Sequence, residues 1–523
     1  MIPTDRYSST SNGKKTVVLV NINKPLRTRE LESQAPLALM YLSSQLKKAG
    51  FRTVVYDIIP SQFDKALAEI VALRLLFAGI SLTFGFISAE CAEFSRRLKR
   101  IDGKIPIVWG GIHASAVPEL CLNTDFVDYV CIGEGERTIV EVAQCFERGD
   151  SPEEVESVAY KRNGEFFMNP PRPFETNIDN FDIDWDCVDL SRYVFRDLLT
   201  GGMIFKAYQS ARGCPYDCNF CYNNSFNKRR YRPHSIEFVV KDIRMLKERL
   251  NINMVEFVDD HFFTNKRRAF ELLSEMKRIG ISTYNLGIRA NYIDDELFRN
   301  LVHCGCKSIY CGFESENRRV LEVLNKEITK EDIENALAVN AKYPIKISAQ
   351  FILGVPTHTK KEIIESVRYG LKLAKLYPNL ILTMVPYMPL PATKLYYEAI
   401  KEGYTPPRTI EEYQDFGTPS ISKSNMPMSW LPWATKRDKE TLKSALPMSV
   451  YLVRTRPHPS EFWLIRAIKK PFFRIAYWRL YNLNFNCLID YYIFNLVYTA
   501  MFNLACSLLK QGRLKQFITR FQA

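Results

Sequence analysis

The chain has 523 residues, of which 46% are hydrophobic and 25% are charged. This composition is close to that of ordinary globular proteins and excludes a disordered chain, a collagen-like chain and a small disulfide scaffold. The length predicts about three domains. The 71 lysine and arginine residues exceed the 58 aspartate and glutamate residues by 13, which favours anionic partners such as nucleic acid, a membrane surface or a phosphorylated ligand.

A polar segment, residues 1–15, is expected to form a mobile tail, and it contains no apolar signal sequence. Together with the odd number of cysteines, thirteen, this predicts a reducing cytoplasmic location. Short apolar runs then alternate with amphipathic segments, and this pattern predicts a doubly wound parallel sheet over residues 16–148. The predicted strands are Thr16–Val20, Thr53–Tyr56, Phe77–Leu82, Ile105–Trp109 and Val127–Ile132, and the helices between them include Pro36–Ala49, Ser88–Ile101 and Glu136–Arg148.

Loops at the carboxyl ends of the strands are where such sheets bind ligands. Glycines in these loops let the backbone approach a flat or bulky ligand closely, although ordinary turns would also use them. The loops in question are Ser81-Leu82-Thr83, Gly110-Gly111-Ile112-His113 and Gly133-Glu134-Gly135-Glu136.

Residues 149–200 are predicted to be a linker that contains one β-hairpin. Asn163-Gly164 separates Val158–Lys161 from Glu165–Met168, and this dipeptide favours a tight hairpin turn. Strand–helix alternation then resumes and predicts a full or partial parallel β/α barrel over residues 201–400, with a single sheet covered by helices as the alternative. The predicted strands are Ile204–Gln209, Met254–Val258, Thr283–Ile288, Ser308–Gly312, Lys346–Leu353 and Ile381–Pro386, and the helices include Ser235–Leu250 and Lys361–Tyr377.

The C-terminal region, residues 401–523, begins with a proline-rich polar stretch and becomes helical, aromatic and basic. It is predicted to be a mainly helical substrate or cap region. Residues 491–509 carry no charge across 19 positions, which is near the length of a membrane-spanning helix. Because Asn495 and Asn503 interrupt this segment, a buried or surface-docked helix is favoured over a helix that lies on a membrane and over a true span.

The most specific motif is Cys214-Pro-Tyr-Asp-Cys218-Asn-Phe-Cys221, which directly follows a predicted strand and Gly213. Three thiolates at this spacing can hold one face of a 4Fe–4S cube. The fourth iron is then open to an exogenous ligand. A zinc site that takes a fourth thiol from Cys304, Cys306 or Cys311 is the alternative.

This motif, with the aromatic Phe220 before the last cysteine, resembles that of the radical S-adenosylmethionine superfamily. The resemblance implies that the open iron binds the amino and carboxylate groups of S-adenosylmethionine. It also implies that reduction of the cluster cleaves the sulfonium to a 5′-deoxyadenosyl radical, with the cofactor supplying the difficult chemistry.

Further positions resemble the same superfamily in order and spacing. Asp259 and Asp260 stand where the family meets the methionyl amine, although its usual Gly-Gly-Glu is absent. By resemblance, Arg289 lies near the cofactor carboxylate or ribose, Glu314 accepts hydrogen bonds from the ribose, and Leu353 lines the adenine. The segment Leu324-Asn325-Lys326 is also similar to the family.

Residues 16–148 resemble the cobalamin-binding domain that is joined to many radical S-adenosylmethionine enzymes. The usual Asp-x-His-x-x-Gly motif is missing, because Asp57 is followed by Ile58-Ile59-Pro60. His113 is the only histidine of this domain, and we expect a loop residue rather than a ligand of cobalt. The resemblance implies cobalamin contacts at Ser81, Leu82, Thr83, Gly110, Gly111, His113, Gly133, Glu134 and Gly135.

The resemblance covers residues 14–400 and implies a cobalamin-dependent enzyme similar to the class B methyltransferases. Such an enzyme passes a methyl group from methylcobalamin to an unactivated carbon. The alternatives are a ring-forming, rearranging or oxygen-inserting enzyme with the same cofactors, similar to the anaerobic cyclases, and a non-catalytic iron–sulfur or cobalamin sensor.

Four expectations about partners follow. The substrate is a small molecule or a peptide, with His261, Tyr387 and residues 401–450 as substrate-facing candidates. The electron donor is an external protein of the flavodoxin or ferredoxin type. No nucleic acid is expected, because the basic residues are not focused on a recognisable module. Peripheral membrane contact is expected through the C-terminal region.

Overall fold

The computed structural model describes residues 15–23, 34–83, 85–196, 202–416, 428–456, 463–484, 489–494 and 496–497. Contacts divide the described chain into two compact units. The first unit contains the described residues of 1–348, 388–418 and 429–433, and the second contains those of 349–387, 419–428 and 434–523. The predicted tail lies outside the described residues except for its last position, and most of the uncharged segment 491–509 lies outside them as well.

A seven-stranded sheet forms the N-terminal part of the first unit. Its strands are β1 (Thr16–Ile22), β2 (Arg52–Ile58), β3 (Leu75–Ser81), β4 (Ile107–Gly110), β5 (Tyr129–Cys131), β6 (Val158–Arg162) and β7 (Glu165–Met168). They are ordered β2-β1-β3-β4-β5-β6-β7, and the first five run parallel. This confirms the parallel sheet that the continuous apolar runs predicted.

Helices connect the parallel strands and bury their apolar faces on the sheet. They are α1 (Leu37–Lys48), α2 (Phe63–Val71), α3 (Ser88–Ile101), α4 (Ile112–Ala116), α5 (Pro118–Leu122) and α6 (Thr138–Arg148). Phe94 of α3 and Trp109 of β4 are fully buried in the shared core. Ile410 and Tyr413, which come much later in the chain, belong to the same core.

The predicted hairpin is present, and it belongs to this sheet. Asn163 and Gly164 have φ of +53° and +84°, the pair of positive values that a type I′ turn requires. Strand β6 pairs antiparallel with β5. The sheet therefore extends into the segment that the sequence predicted as a linker.

The middle segment contains parallel and antiparallel strands together with the helices that connect many of them. The strands are β8 (Val194–Arg196), β9 (Met203–Tyr208), β10 (Ala211–Arg212), β11 (Arg232–Pro233), β12 (Met254–Phe257), β13 (Ser282–Tyr284), β14 (Leu286–Ile288), β15 (Ser308–Glu314), β16 (Lys346–Leu353) and β17 (Leu380–Pro386). Strands β9, β12 and β13 are parallel neighbours, as are β14 and β15. Asn285, with φ of +60°, divides the single strand predicted over Thr283–Ile288 into β13 and β14.

Seven of the eight helices described in this segment begin at a residue whose side chain caps the helix. The eight are α7 (Asn223–Phe226), α8 (Ile236–Leu250), α9 (Lys266–Arg278), α10 (Asp295–His303), α11 (Arg318–Val323), α12 (Lys330–Asn340), α13 (Lys360–Leu376) and α14 (Lys394–Lys401). Ser235 caps α8 by accepting a hydrogen bond from the Phe238 amide at 3.1 Å. Such caps satisfy amide groups that the helix itself leaves unpaired.

The second unit contains two long helices, α15 (Lys436–Thr455) and α16 (Trp463–Asn482). Helix α15 packs on β17, where the Ser449 hydroxyl accepts a hydrogen bond from the Met384 amide at 3.2 Å. Residues 489–494 and 496–497 are also helical, so the predicted helical character of the C-terminal region is confirmed. None of the described helices is long and apolar enough to cross a bilayer.

Candidate active site

A cavity of about 1150 Å³ opens at the carboxyl ends of the parallel strands in the N-terminal sheet. This is where a sheet of this kind leaves backbone groups and loop side chains free to meet a ligand. The predicted ligand-binding residues that line it are Ser81, Thr83, Gly110, Gly111, Gly133, Glu134 and Gly135. The structure therefore brings together all of the predicted cobalamin contacts except Leu82 and His113.

Gly111 is required by its position beside Leu82. Its φ is +101°, and a Cβ there would lie 2.9 Å from the Leu82 carbonyl oxygen. Leu82 supports the loop through its backbone, because its amide donates to Gly110 and its carbonyl accepts from His113. Leu82 thus lies behind the lining, and its predicted ligand contact stays a prediction.

His113 lies in α4, and its ring is buried away from the cavity lining. The ring packs edge-on against Tyr413 at a centroid distance of 4.5 Å. Burial lowers the pKa of His113 to about 4, and its Nε2 has no hydrogen-bond partner among the described residues. No histidine lines the described cavity, so its predicted role at the ligand also stays a prediction.

The cysteine loop follows β10 and begins at Gly213. The φ of Gly213 is +81°, and a Cβ would overlap the carbonyl oxygen of Arg230, so only glycine fits. Hydrogen bonds hold the loop, since the Asn219 amide donates to Leu324 at 2.9 Å and the Asn325 side chain donates to the Asp217 carbonyl at 2.7 Å. These contacts fix Cys214, Cys218 and Cys221 on one short turn.

The chemistry of the three thiols fits an iron–sulfur cube. Burial raises the pKa of Cys214 to about 11 and that of Cys221 to about 12, so both thiols stay protonated at neutral pH until a metal centre binds. Each thiolate of such a cluster binds a different iron, and the sulfurs therefore need not converge on one point. Among the described residues, no group of three or more His, Cys, Asp or Glu side chains surrounds a single ion position. The zinc alternative, which needs such a group, gains no support.

Two carboxylates follow β12 and have different partners. Asp259 accepts hydrogen bonds from the Ser210 amide and hydroxyl, both at 2.6 Å, and burial raises its pKa to about 6. Asp260 accepts from the Tyr222 hydroxyl at 2.6 Å and from the Gly213 amide at 3.1 Å. Asp260 therefore ties the end of β12 directly to the cysteine loop, whereas Asp259 anchors the turn behind it.

Arg289 follows β14 and reaches the cysteine loop. Its Nη1 lies 3.7 Å from the Cys218 sulfur, and its guanidinium lies over the Tyr216 ring at 3.8 Å. Its buried Nε has no hydrogen-bond partner among the described residues. A buried guanidinium with a free donor is suited to an anionic group such as a carboxylate.

Glu314 ends β15 and forms a buried ion pair with Lys326. The Lys326 ammonium lies 2.8 Å from Glu314 Oε1 and 5.7 Å from the centroid of the Phe220 ring. The sequence indicated Glu314 as a ribose contact and Phe220 as part of the cysteine motif, but it indicated no role for Lys326. The signal that could have found it is the segment Leu324-Asn325-Lys326, which resembles the same family.

Arg212 and Arg232 connect the cysteine loop with the N-terminal sheet. Arg212 donates to Glu134 at 2.8 Å and to Glu136 at 2.7 Å, and Arg232 donates to Glu134 at 2.8 Å. Burial opposes ionisation of Glu134, but Arg232 and Arg212 outweigh it and hold its pKa below the usual range. Neither arginine was predicted from the sequence, because neither lies in a pattern that distinguishes it from surface charge.

Residues that follow the cysteines also line the cavity at the sheet. Tyr222 directly follows Cys221, and Phe226 and Asn227 follow within the next five residues. All three face the space that Gly110 and Gly133 line. The strand ends of the N-terminal sheet and the end of the cysteine loop thus share one cavity.

His261 and Tyr387, the predicted substrate-facing residues, are both buried. His261 packs between Tyr216 and Tyr292 at centroid distances of 5.5 and 5.0 Å, and its Nε2 has no hydrogen-bond partner among the described residues. Tyr387 lies in the second unit, where its amide donates to the Leu353 carbonyl at 2.8 Å. The substrate and adenine contacts predicted for His261, Tyr387 and Leu353 stay predictions.

Comparison with known proteins matches both halves of this site. Residues 31–143 match the B12 binding domain, and residues 208–370 match the radical SAM superfamily. The chain is 27% identical over 401 residues to an uncharacterised methyltransferase of Pyrococcus horikoshii, covering 74% of this chain and 85% of the relative. It is 26% identical over 381 residues to an anaerobic magnesium-protoporphyrin IX monomethyl ester cyclase of Cereibacter sphaeroides, covering 70% of this chain and 60% of the relative.

The fold is similar to that of a solved enzyme. The radical S-adenosylmethionine methyltransferase TsrM from Kitasatospora setae superimposes with a TM-score of 0.61 at 19% identity, over 75% of this chain and 78% of that one. A B12-binding sheet followed by a radical SAM segment defines an enzyme class that combines a 4Fe–4S cluster, S-adenosylmethionine and cobalamin. The chain belongs to this class, the cobalamin-binding radical S-adenosylmethionine enzymes.

Proposed function

We propose that this enzyme transfers a methyl group to an unactivated carbon of a small organic molecule, with a peptide as the alternative substrate. The observation that carries the proposal is the shared cavity, which is lined both by Gly110 and Gly133 of the sheet and by Tyr222 and Phe226 after the cysteines. A methyl carrier and a radical source that open into one cavity can act on the same substrate carbon. The relatives described as methyltransferases support the same outcome.

The three cysteines would hold the cluster on the side of the cavity that Tyr222 and Phe226 line. When bound, the cluster and S-adenosylmethionine supply a carbon radical, and cobalamin supplies the methyl group. Arg289 would direct its free Nε–H toward the methionyl carboxylate, and Asp260 would accept from the methionyl ammonium. Lys326 would hold Glu314 in place to accept from the ribose hydroxyls.

The sheet end would hold cobalamin mainly through shape. Four glycines in the lining carry no side chain, so the backbone can approach a large flat ring closely. They are Gly110, Gly111, Gly133 and Gly135. Ser81 and Thr83 supply hydroxyls at the same edge. Because no histidine lines the described cavity, we expect cobalt to lack a lower histidine ligand from this chain.

A ring-forming or oxygen-inserting reaction is the second candidate. The similarity to the cyclase of Cereibacter sphaeroides favours it, since that match covers 70% of this chain. The two reactions differ in their products, because methyl transfer adds the mass of one CH₂ group to the substrate and the alternatives do not.

The test is turnover of anaerobically reconstituted enzyme with S-adenosylmethionine carrying a deuterated methyl group, a strong reductant and extract of the native host. We expect the label in one small-molecule product, and 5′-deoxyadenosine and S-adenosylhomocysteine in comparable amounts. Formation of 5′-deoxyadenosine without S-adenosylhomocysteine would contradict methyl transfer.

Two further proposals concern partners. We expect an external electron donor of the flavodoxin or ferredoxin type, because cluster reduction needs an electron that the chain does not itself supply. We also propose peripheral membrane contact through the C-terminal region, in a cytoplasmic protein.

A further inference from the structure

Helix α16 presents basic and aromatic side chains along one exposed face. Arg466, Lys470, Arg474 and Trp478 follow one another at intervals of four residues, and all are exposed. Tyr481 continues the same face and is also exposed. The helix contains five basic residues and no acidic residue, and three of the five are exposed on this face, which therefore carries a positive charge.

A broad, open surface cavity runs along this face. It is lined by Lys375 of α13 and, from α16, by Arg466, Lys470, Arg474, Phe473, Tyr477 and Ala467. No acidic residue lines the described cavity. Such a space is suited to anionic groups held between basic side chains and aromatic rings.

An apolar stripe is exposed on the next helical segment. Ile489, Tyr492, Ile493, Leu496 and Val497 repeat at the spacing of one helix face, and all five are exposed, Leu496 by 74%. The opposite face fixes this orientation, because Asp490 pairs with the buried Arg479 and Phe494 is buried beside Tyr451. The apolar side chains therefore point to solvent as a consequence of contacts made by their neighbours.

We propose that this basic–aromatic surface, defined as Lys375, Arg466, Lys470, Arg474, Trp478, Tyr481 and the apolar stripe, docks the enzyme on an anionic phospholipid bilayer. The lysines and arginines would meet lipid phosphates, and Trp478 and Tyr481 would lie at the headgroup level. The apolar stripe would enter the acyl boundary, as in helices that lie in the plane of a membrane.

Charge and apolarity together select this partner. Nucleic acid would satisfy the basic residues but offers nothing to Ile489, Ile493 and Leu496. This proposal rests on the membrane contact proposed above and names the residues that would make it. It does not depend on the methyl-transfer reaction.

The test is co-sedimentation of the full-length holoenzyme with vesicles of phosphatidylcholine alone or mixed with phosphatidylglycerol. We expect binding to the anionic vesicles only, with a decrease as salt is raised. A triple variant with Arg466→Glu, Lys470→Glu and Arg474→Glu should weaken vesicle binding by more than about tenfold. Each basic side chain near an anionic surface contributes to the attraction. The control is a triple variant at exposed basic residues elsewhere in the chain, Arg267→Glu, Lys361→Glu and Lys401→Glu. It makes the same charge change and should leave vesicle binding unchanged.

A second variant tests the apolar stripe without changing charge. Tyr492→Ser with Leu496→Ser should weaken vesicle binding while its salt dependence remains. Far-ultraviolet circular dichroism checks that each variant is folded, and if the charge variant unfolds, the stripe variant decides.

Three results would overturn the proposal. The first is that the wild type does not bind anionic vesicles. The second is that the control triple variant loses as much vesicle binding as the Arg466, Lys470 and Arg474 variant. The third is that the wild type binds single-stranded RNA and not the vesicles. Failure to sediment would mean that another segment or a second copy covers the surface. Cleavage of S-adenosylmethionine by the same samples without vesicles keeps this result separate from a failure of the proposed reaction.

Discussion

The two sides of the shared cavity differ in how they are prepared for a ligand. The N-terminal sheet lines the cavity with glycines, whereas the strand ends at the cysteine loop carry buried charges such as Arg289 and Glu314. Glycines suit a large ring that is recognised by shape, and buried charges suit the small charged groups of an amino acid. This contrast favours recognition of cobalamin by shape and of S-adenosylmethionine by charge.

Loss of one cysteine should have the largest effect, and it should change radical formation but not cobalamin binding. Cys218→Ala should lower 5′-deoxyadenosine formation by at least about 1000-fold, because the cluster loses a ligand. Cobalamin binding should survive, because the sheet does not change. Liquid chromatography with mass spectrometry measures the first property, and visible absorbance after gel filtration measures the second.

The matched control for this prediction is Cys145→Ala on α6, a thiol outside the loop. It should retain both properties. Full nucleoside formation by Cys218→Ala would show that the loop does not hold the cluster.

Removal of Arg212 should break the connection between the two sides. Arg212→Met leaves the buried Glu136 without its arginine and leaves Glu134 with Arg232 alone, which should cost about 3–5 kcal/mol of unfolding free energy. Urea unfolding followed by circular dichroism measures this cost. Arg148→Met, which removes an exposed pair with Asp150, should leave the unfolding midpoint unchanged, and an equal effect of the two substitutions would contradict the role of burial.

Addition of one methyl group at Gly111 should lower stability and cobalamin binding at the N-terminal sheet without changing the cysteine loop. The Cβ of Gly111→Ala would press on the Leu82 backbone at a positive φ, with an expected loss of about 1–3 kcal/mol and weaker cobalamin binding. Gly149→Ala has a similar φ of +84° but meets nothing within 4 Å. It should cost less and leave cobalamin binding unchanged. Equal cobalamin affinity in the two variants, measured by spectrophotometric titration, would argue against a close approach at Gly111.

A fall in pH should lower the free energy of unfolding through the buried His113. Burial lowers its pKa from 6.5 to about 4, so below pH 6.5 the unfolded chain takes up a proton that the folded chain refuses. Stability therefore falls as the pH drops from 6.5 toward 4, by up to about 1.4 kcal/mol per pH unit from this residue. His113→Phe should flatten this decline in urea unfolding measured at several pH values, whereas His303→Gln, at an exposed histidine, should not. Parallel curves for wild type and His113→Phe would refute the burial argument.

Local patterns predicted most of the fold, because continuous apolar runs and helix caps act within a few residues. They placed β3 and α3 closely, and they found the turn at Asn163-Gly164. The division of one strand at Asn285 was not predicted, because a left-handed residue inside an apolar run leaves the pattern intact. Nor was the return of Tyr413 to the N-terminal core, which depends on packing between distant segments.

The candidate site divides in the same way. Cys214, Cys218 and Cys221 are close in sequence, so their spacing alone indicated a common role. The contacts of Arg212 with Glu134 and of Lys326 with Glu314 join segments that only the folded chain brings together. Burial, which makes these charges important, is a property of the whole fold and cannot be read from a local motif.

The spin–spin interaction between the two metal centres tests the shared cavity most directly. The electron paramagnetic resonance spectrum of the cob(II)alamin-loaded enzyme would be recorded with the cluster oxidised and then reduced. We predict that reduction broadens or splits the cobalt signal in the wild type and leaves it unchanged in Cys218→Ala. A wild-type cobalt signal that is identical in both states would contradict a cavity shared by the two cofactors.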